Sequence, residues 1–118
     1  MKCKLLYAFA LLTLAHQLTA YDYKVRNDTN TDLVTTIDIT GDERNWAVPA
    51  HGESGLMRKK LSACLSRVFI KRPTDAQRFQ INHEESYQTC GSLRIIIKYG
   101  VSFSKGTPHY YFTTENLY

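Results

Sequence analysis

Residues 55–72 read "GLMRKKLSACLSRVFIKR", and whether this stretch coils or extends decides the fold. Met57, Leu61, Cys64, Leu65 and Val68 recur at spacings of four, three, one and three, the apolar stripe of an amphipathic helix. Arg58, Lys59, Ser62, Ser66 and Arg67 fall mostly on the other side. Just upstream, "HGESG" (51–55) places Ser54 where a helix cap belongs, its hydroxyl set to accept a bond from a first-turn amide. The spacing predicts a helix over about 55–67, although "RVFIKR" (67–72) reads equally well as strand.

The flanking sequence is written for strands. "YDYKV" (21–25) alternates aromatic and polar residues, and "LVTTIDIT" (33–40) sets Leu33, Thr35, Ile37 and Ile39 on one face. "GDERN" breaks the second run, and Trp46 reads as a core or loop anchor. Beyond Pro73, "RFQIN" (78–82) and "SLRIIIKYGVSF" (92–103) extend again, with Gly100 as a bend or bulge. "SKGTP" (104–108) supplies a turn and "HYYFTT" (109–114) returns to complete a hairpin. The expected fold class is α+β: one helix packed on an antiparallel sheet of about five strands, with an all-β sandwich as the alternative.

Compartment follows from the start of the chain. "MKCKLLYAFALLTLAHQLTA" (1–20) has basic Lys2 and Lys4, an apolar run from Leu5 to Leu14, and "LTA" before Tyr21. This is the grammar of a signal peptide, and the run is shorter than the ~20 residues of a membrane span. Residues 21–118 are then one secreted domain, extracellular, delivered to a host cell, or periplasmic in a Gram-negative source. Cys3 leaves with the leader, so Cys64 and Cys90 are expected to form one disulfide.

Charge is unevenly distributed. Residues 21–55 carry seven acids and three bases, whereas residues 56–72 carry six bases and no acid. Arg58, Lys59 and Lys60 are therefore candidates for meeting an anionic surface, such as an RNA backbone, another polyanion or an envelope. Asn27-Asp28-Thr29 is an N-glycosylation acceptor if the source is eukaryotic.

Most catalytic motifs fail on spacing. A hydrolase elbow needs G-x-S-x-G, but in Gly52-Glu53-Ser54-Gly55 the second glycine comes one position early. His83-Glu84 begins like a zinc-binding H-E-x-x-H, yet Tyr87 stands where the second ligand belongs. No metal site and no cofactor are expected. What remains is Glu84, Arg94 and His109. A carboxylate to take a 2′-hydroxyl proton, a guanidinium to hold phosphate and an imidazole to protonate the leaving oxygen would suit ribonucleolytic transesterification.

Around these residues the chain runs "NHEESYQTCGSLRIIIKYGVSFSKGTPHYYFTT" (82–114). This stretch resembles the C-terminal sheet of the small secreted microbial ribonucleases, where a Glu, an Arg ahead of apolar strand residues and a His-Tyr pair occur in that order. It is also similar to the ribonuclease-like effectors secreted by plant-pathogenic fungi, which keep the leader, the size, the helix-plus-sheet layout and a disulfide and generally lose catalysis. The resemblance implies a secreted, non-catalytic interaction protein that binds a host or envelope macromolecule. Two alternatives stand beside it: an active ribonuclease using Glu84, Arg94 and His109, or an envelope-binding or inhibitor module using Arg58, Lys59 and Lys60.

Overall fold

A computed structural model describes residues 20–60 and 63–118, with the Lys60 side chain excepted. Apart from Ala20, the expected leader lies outside the described residues, as do Leu61 and Ser62. Eight strands follow one another along the chain: β1 (Ala20–Asn27), β2 (Leu33–Ile39), β3 (Asp42–Val48), β4 (Met57–Lys60), β5 (Leu65–Lys71), β6 (Phe79–His83), β7 (Leu93–Ser102) and β8 (Lys105–Asn116). They form one curled mixed sheet in the order β3-β2-β5-β6-β8-β7-β1-β4. Parallel pairing occurs between β1 and β7 and between β6 and β8; the other neighbours are antiparallel.

The helix expected over 55–67 is absent, and the α+β class with it; the protein is all-β over the described residues. Two local features explain why the sequence imitated a helix. β5 pairs with β2 as Asp38↔Arg67 and then Ile39↔Leu65, so Ser66 is an extra residue in a bulge. Leu65 and Val68 consequently both face the core at a spacing of three, a helical interval made by a bulged strand. Met57 belongs to a separate strand, β4, laid antiparallel on β1 with Tyr23↔Met57 in register. Ser54 caps no helix. Its hydroxyl accepts the Val25 N–H at 2.8 Å and donates to the Gly55 carbonyl at 3.0 Å, while its own N–H donates to the Val25 carbonyl.

The curl comes from β6, which changes neighbour along its length. Phe79, Gln80 and Ile81 pair with β5, and then Asn82 and His83 pair with β8. Strand alternation then drives one face inward: Tyr23 and Val25, Leu33, Ile37 and Ile39, Val68 and Ile70, and Leu93, Ile95 and Ile97 pack as one buried cluster. Trp46 and Tyr110 lean against it. The two edge strands approach across the open side, where Lys59 of β4 forms an ion pair with Asp42 of β3. The expected Cys64–Cys90 disulfide is present and ties the start of β5 to the segment before β7. No helix of the described residues is long and apolar enough to cross a membrane.

Candidate functional site

The β7–β8 hairpin carries the most unusual polar cluster. Its register slips between Gly100 and Ser102, which is the bulge that the glycine announced, and the turn falls on Phe103–Ser104 rather than on 104–108. The slip turns Ser102 toward His109, which is paired with Gly100. Glu84 follows directly after β6 and reaches the same spot. Its Oε2 lies 2.6 Å from His109 Nε2, and its Oε1 accepts the Ser102 hydroxyl at 2.8 Å. On the other side of the ring, His109 Nδ1 lies 2.8 Å from the Thr107 carbonyl, which can only accept.

The Thr107 carbonyl therefore places a proton on Nδ1, and the Glu84 carboxylate beside Nε2 favours a second one there. The bond to the Thr107 carbonyl and then the contact with Glu84 push the His109 pKa up. Burial pushes Glu84 up, but the bonds from His109 and Ser102 outweigh it and hold its carboxyl below the usual range. The Ser102 hydroxyl donates to the carboxylate and also lies 3.3 Å from His109 Nε2. In this arrangement Glu84 and His109 are in direct contact and satisfy each other.

Arg94, the third residue expected at that site, stands elsewhere. It is six residues along β7 from Gly100, about 20 Å at strand rise. Its guanidinium is held by Glu53 at 2.6 Å and by Glu115 at 2.8 Å. The structure thus brings Glu84 and His109 together and leaves Arg94 in an ion cluster on the outer face. The basic triplet is divided as well. Arg58 points outward onto Asp22 at 2.9 Å, and Lys59 points to the gap between the sheet edges. Asn27 is 0% exposed, and its amide nitrogen donates to the carbonyls of Thr31 and Val48. A glycan on that nitrogen is incompatible with this fold.

Sequence reasoning missed the residues flanking the Glu84 cluster. A cleft of about 440 Å³ is lined by Asn82, His83, Glu84, Glu85, Tyr87, Phe103 and Ser104. Phe103 is 98% exposed and Tyr87 84% exposed, far beyond what large aromatic side chains show when their only task is packing. Val101 is also exposed on the same hairpin. The available signal was an aromatic residue beside small polar residues in "SFSKG", where a turn gives it nothing to pack against. Among the described residues, no group of His, Cys, Asp and Glu side chains is arranged to hold a metal ion.

Fold and site together define an all-β, disulfide-linked chain whose distinctive end carries exposed aromatic side chains beside a closed polar cluster. No protein-family model matches the sequence, and comparison with curated proteins finds no match.

Proposed function

We propose that the protein is a secreted, non-enzymatic binding module that docks a partner protein through the β7–β8 hairpin tip. The observation that carries this reading is the exposure of Phe103 and Tyr87, which both line one cleft. Aromatic anchors of this kind supply most of the energy of a protein interface when they enter a partner's pocket. The charge of the Glu84–His109 pair is internally neutralised, so the cleft's floor adds hydrogen-bonding shape without a large electrostatic penalty. The single disulfide and the signal-peptide grammar of residues 1–20 support export.

The test is quantitative binding of the disulfide-bonded chain to its captured partner, wild type against the Phe103→Ala/Tyr87→Ala double variant. Loss of about thirtyfold or more in affinity is expected, as for an interface hot spot of about 2 kcal/mol. Undiminished binding by the double variant removes the proposal. An enzymatic reading has its own decisive assay: cleavage of RNA by the purified chain, abolished by His109→Ala, would reinstate ribonuclease chemistry despite the position of Arg94.

A further inference from the structure

A second cleft, of about 300 Å³, lies between Tyr99 and Tyr110 on one side and the β1–β2 loop, residues Asp28 to Thr31, on the other. We propose that it is a binding site for a neutral carbohydrate, a polyhydroxyl ligand recognised by aromatic stacking and by side-chain hydrogen bonds. The inference does not rest on the hairpin-tip interface, which uses different residues.

The aromatic wall is built by strand pairing. Tyr99 and Tyr110 are directly opposed across β7 and β8, with ring centroids 4.7 Å apart and planes inclined at 56°. Phe79 backs Tyr110 from outside the cleft, its ring 6.1 Å away. Tyr110 leans on the core, whereas Tyr99 is 56% exposed and offers a free face. An amphipathic ring of this type suits a ligand with apolar C–H faces and polar edges.

The opposite wall is polar and held in place from below. The Asn27 carboxamide oxygen accepts both the Thr29 N–H and the Thr29 hydroxyl, and its nitrogen ties down the Thr31 carbonyl. Asn27 and Thr29 are buried, so the loop that carries Asp28, Asn30 and Thr31 is fixed before any ligand arrives. Such preorganisation lowers the entropic cost of binding. Asn30 is steadied in turn by His51, 2.7 Å from its side-chain oxygen, leaving its amide N–H groups for a ligand.

Charge decides between ligand classes. Asp28 is bound by Arg26 through two bonds, at 2.8 and 3.0 Å, and Arg72, close to Tyr110, is paired with Asp75. Among the described residues, those lining the cleft therefore offer no unpaired cation to a phosphate or sulfate group. A proline-rich peptide would find aromatic faces and, in its carbonyls, acceptors for the Asn30 amide and the Thr31 hydroxyl, but it brings few donors for the remaining hydroxyl and carboxylate lone pairs. Hydroxyl groups donate and accept at once, which matches a wall that mixes carboxylate, carboxamide and hydroxyl side chains.

The experiment is an amide NMR titration of the disulfide-bonded chain with three neutral probes: cellotetraose, chitotetraose and mannotetraose. Saturable shifts in Asp28–Thr31, Tyr99 and Tyr110 are expected with at least one of them. Tyr99→Ala should weaken that binding about tenfold, the effect of losing one stacked ring. Thr31→Val, which keeps the shape and removes the hydroxyl, should weaken it as well, while Phe103→Ala leaves it unchanged. No saturable shift with any probe at millimolar concentration overturns the proposal. So do shifts that survive Tyr99→Ala, or saturation of the same residues by a proline-rich peptide in preference to the sugars.

Discussion

The hairpins β2–β3 and β7–β8 are both antiparallel, both closed by two-residue turns, and finished in opposite ways. At the first, Thr40 and Gly41 take φ values of 49° and 87°, the positive pair that matches a tight turn to strand twist. That turn is then tied down. The Gly41 N–H donates to Asp38 Oδ1 at 2.8 Å, and Thr40 exchanges hydrogen bonds with Cys64, itself half of the disulfide. At the second, the turn residue Phe103 stands in solvent, and the hairpin is fastened below its tip, by Glu84 on Ser102 and His109. One turn is part of the folding machinery. The other has its fastening set back, so that its end stays available for contact.

The largest expected effect comes from unfastening the first hairpin. Replacing Cys64 and Cys90 together with Ser releases a cross-link spanning 26 positions and should cost about 3.5 kcal/mol by the chain-entropy estimate, read from urea unfolding. Loss of well under 1 kcal/mol would mean that the Thr40–Cys64 bonds hold this end without the cross-link. Next comes Asp38, 2% exposed, which accepts two bonds from Arg67 and one from Gly41. Asp38→Asn should cost about 2 kcal/mol at neutral pH. The Arg67 guanidinium chiefly, against the opposing effect of burial, holds the Asp38 carboxyl below its usual range. A depressed carboxyl stabilises the fold above its unfolded pKa of about 3.9 and loses that contribution as pH falls through its folded value. The gap between wild type and variant should therefore be constant at neutral pH and close in acid; a gap that persists at the lowest pH would exclude the ion pair as its origin.

The same contrast shows what was legible in the sequence. β1 and β2 announce themselves by alternation, and β6, β7 and β8 read as extended runs, with the β7–β8 hairpin and its Gly100 bulge following from "SLRIIIKYGVSF", "SKGTP" and "HYYFTT" together. β3 does not: "DERNWAV" is a largely exposed edge strand, so no apolar face marks it, and it is visible only as the return leg of the Thr40–Gly41 turn. β4 was hidden because Met57 falls into one apolar stripe with Leu65 and Val68, and the start of β5 because the bulge at Ser66 sets Leu65 and Val68 three apart on one face; only 67–72 read equally well as strand. At the site, the sequence grouped Glu84, Arg94 and His109 by chemistry alone; the fold puts Glu84 and His109 in contact and holds Arg94 on Glu53 and Glu115, because β7 is long enough to carry its two ends into different neighbourhoods. Phe103 and Tyr87 had no periodic signature, since a residue that packs against nothing leaves no pattern.

The fastening of the second hairpin should respond to pH where the first does not. His109, raised by the Thr107 carbonyl and Glu84, stabilises its contacts below the ordinary His pKa of about 6.5 and loses that contribution as pH rises through its higher folded value. Glu84, lowered by His109 and Ser102 against the effect of burial, contributes above about pH 4.3 and fades as pH falls through its depressed value. Both are engaged between those limits. Amide protection at 100–109, corrected for intrinsic exchange, should therefore decline above the folded pKa of His109, while protection at 39–42 stays level. Glu84→Gln should bring the His109 titration, followed by NMR, back toward the ordinary range. Parallel behaviour of the two hairpins would show that the polar cluster is not what holds the second.

The smallest effect on stability should come from the most conspicuous residue. Phe103 is almost wholly exposed, so its ring removes very little apolar surface from water on folding, and truncation opens no cavity. Phe103→Ala should move the unfolding free energy by no more than about 0.5 kcal/mol in urea titrations. A turn residue that folding does not need could as well be polar, and an exposed ring carries a standing risk of self-association. Phe103→Ala should accordingly raise solubility while leaving stability untouched, the opposite of the result at Asp38. A loss of 2 kcal/mol or more would place the ring in a packing role and take away the reason for treating this tip as a contact surface.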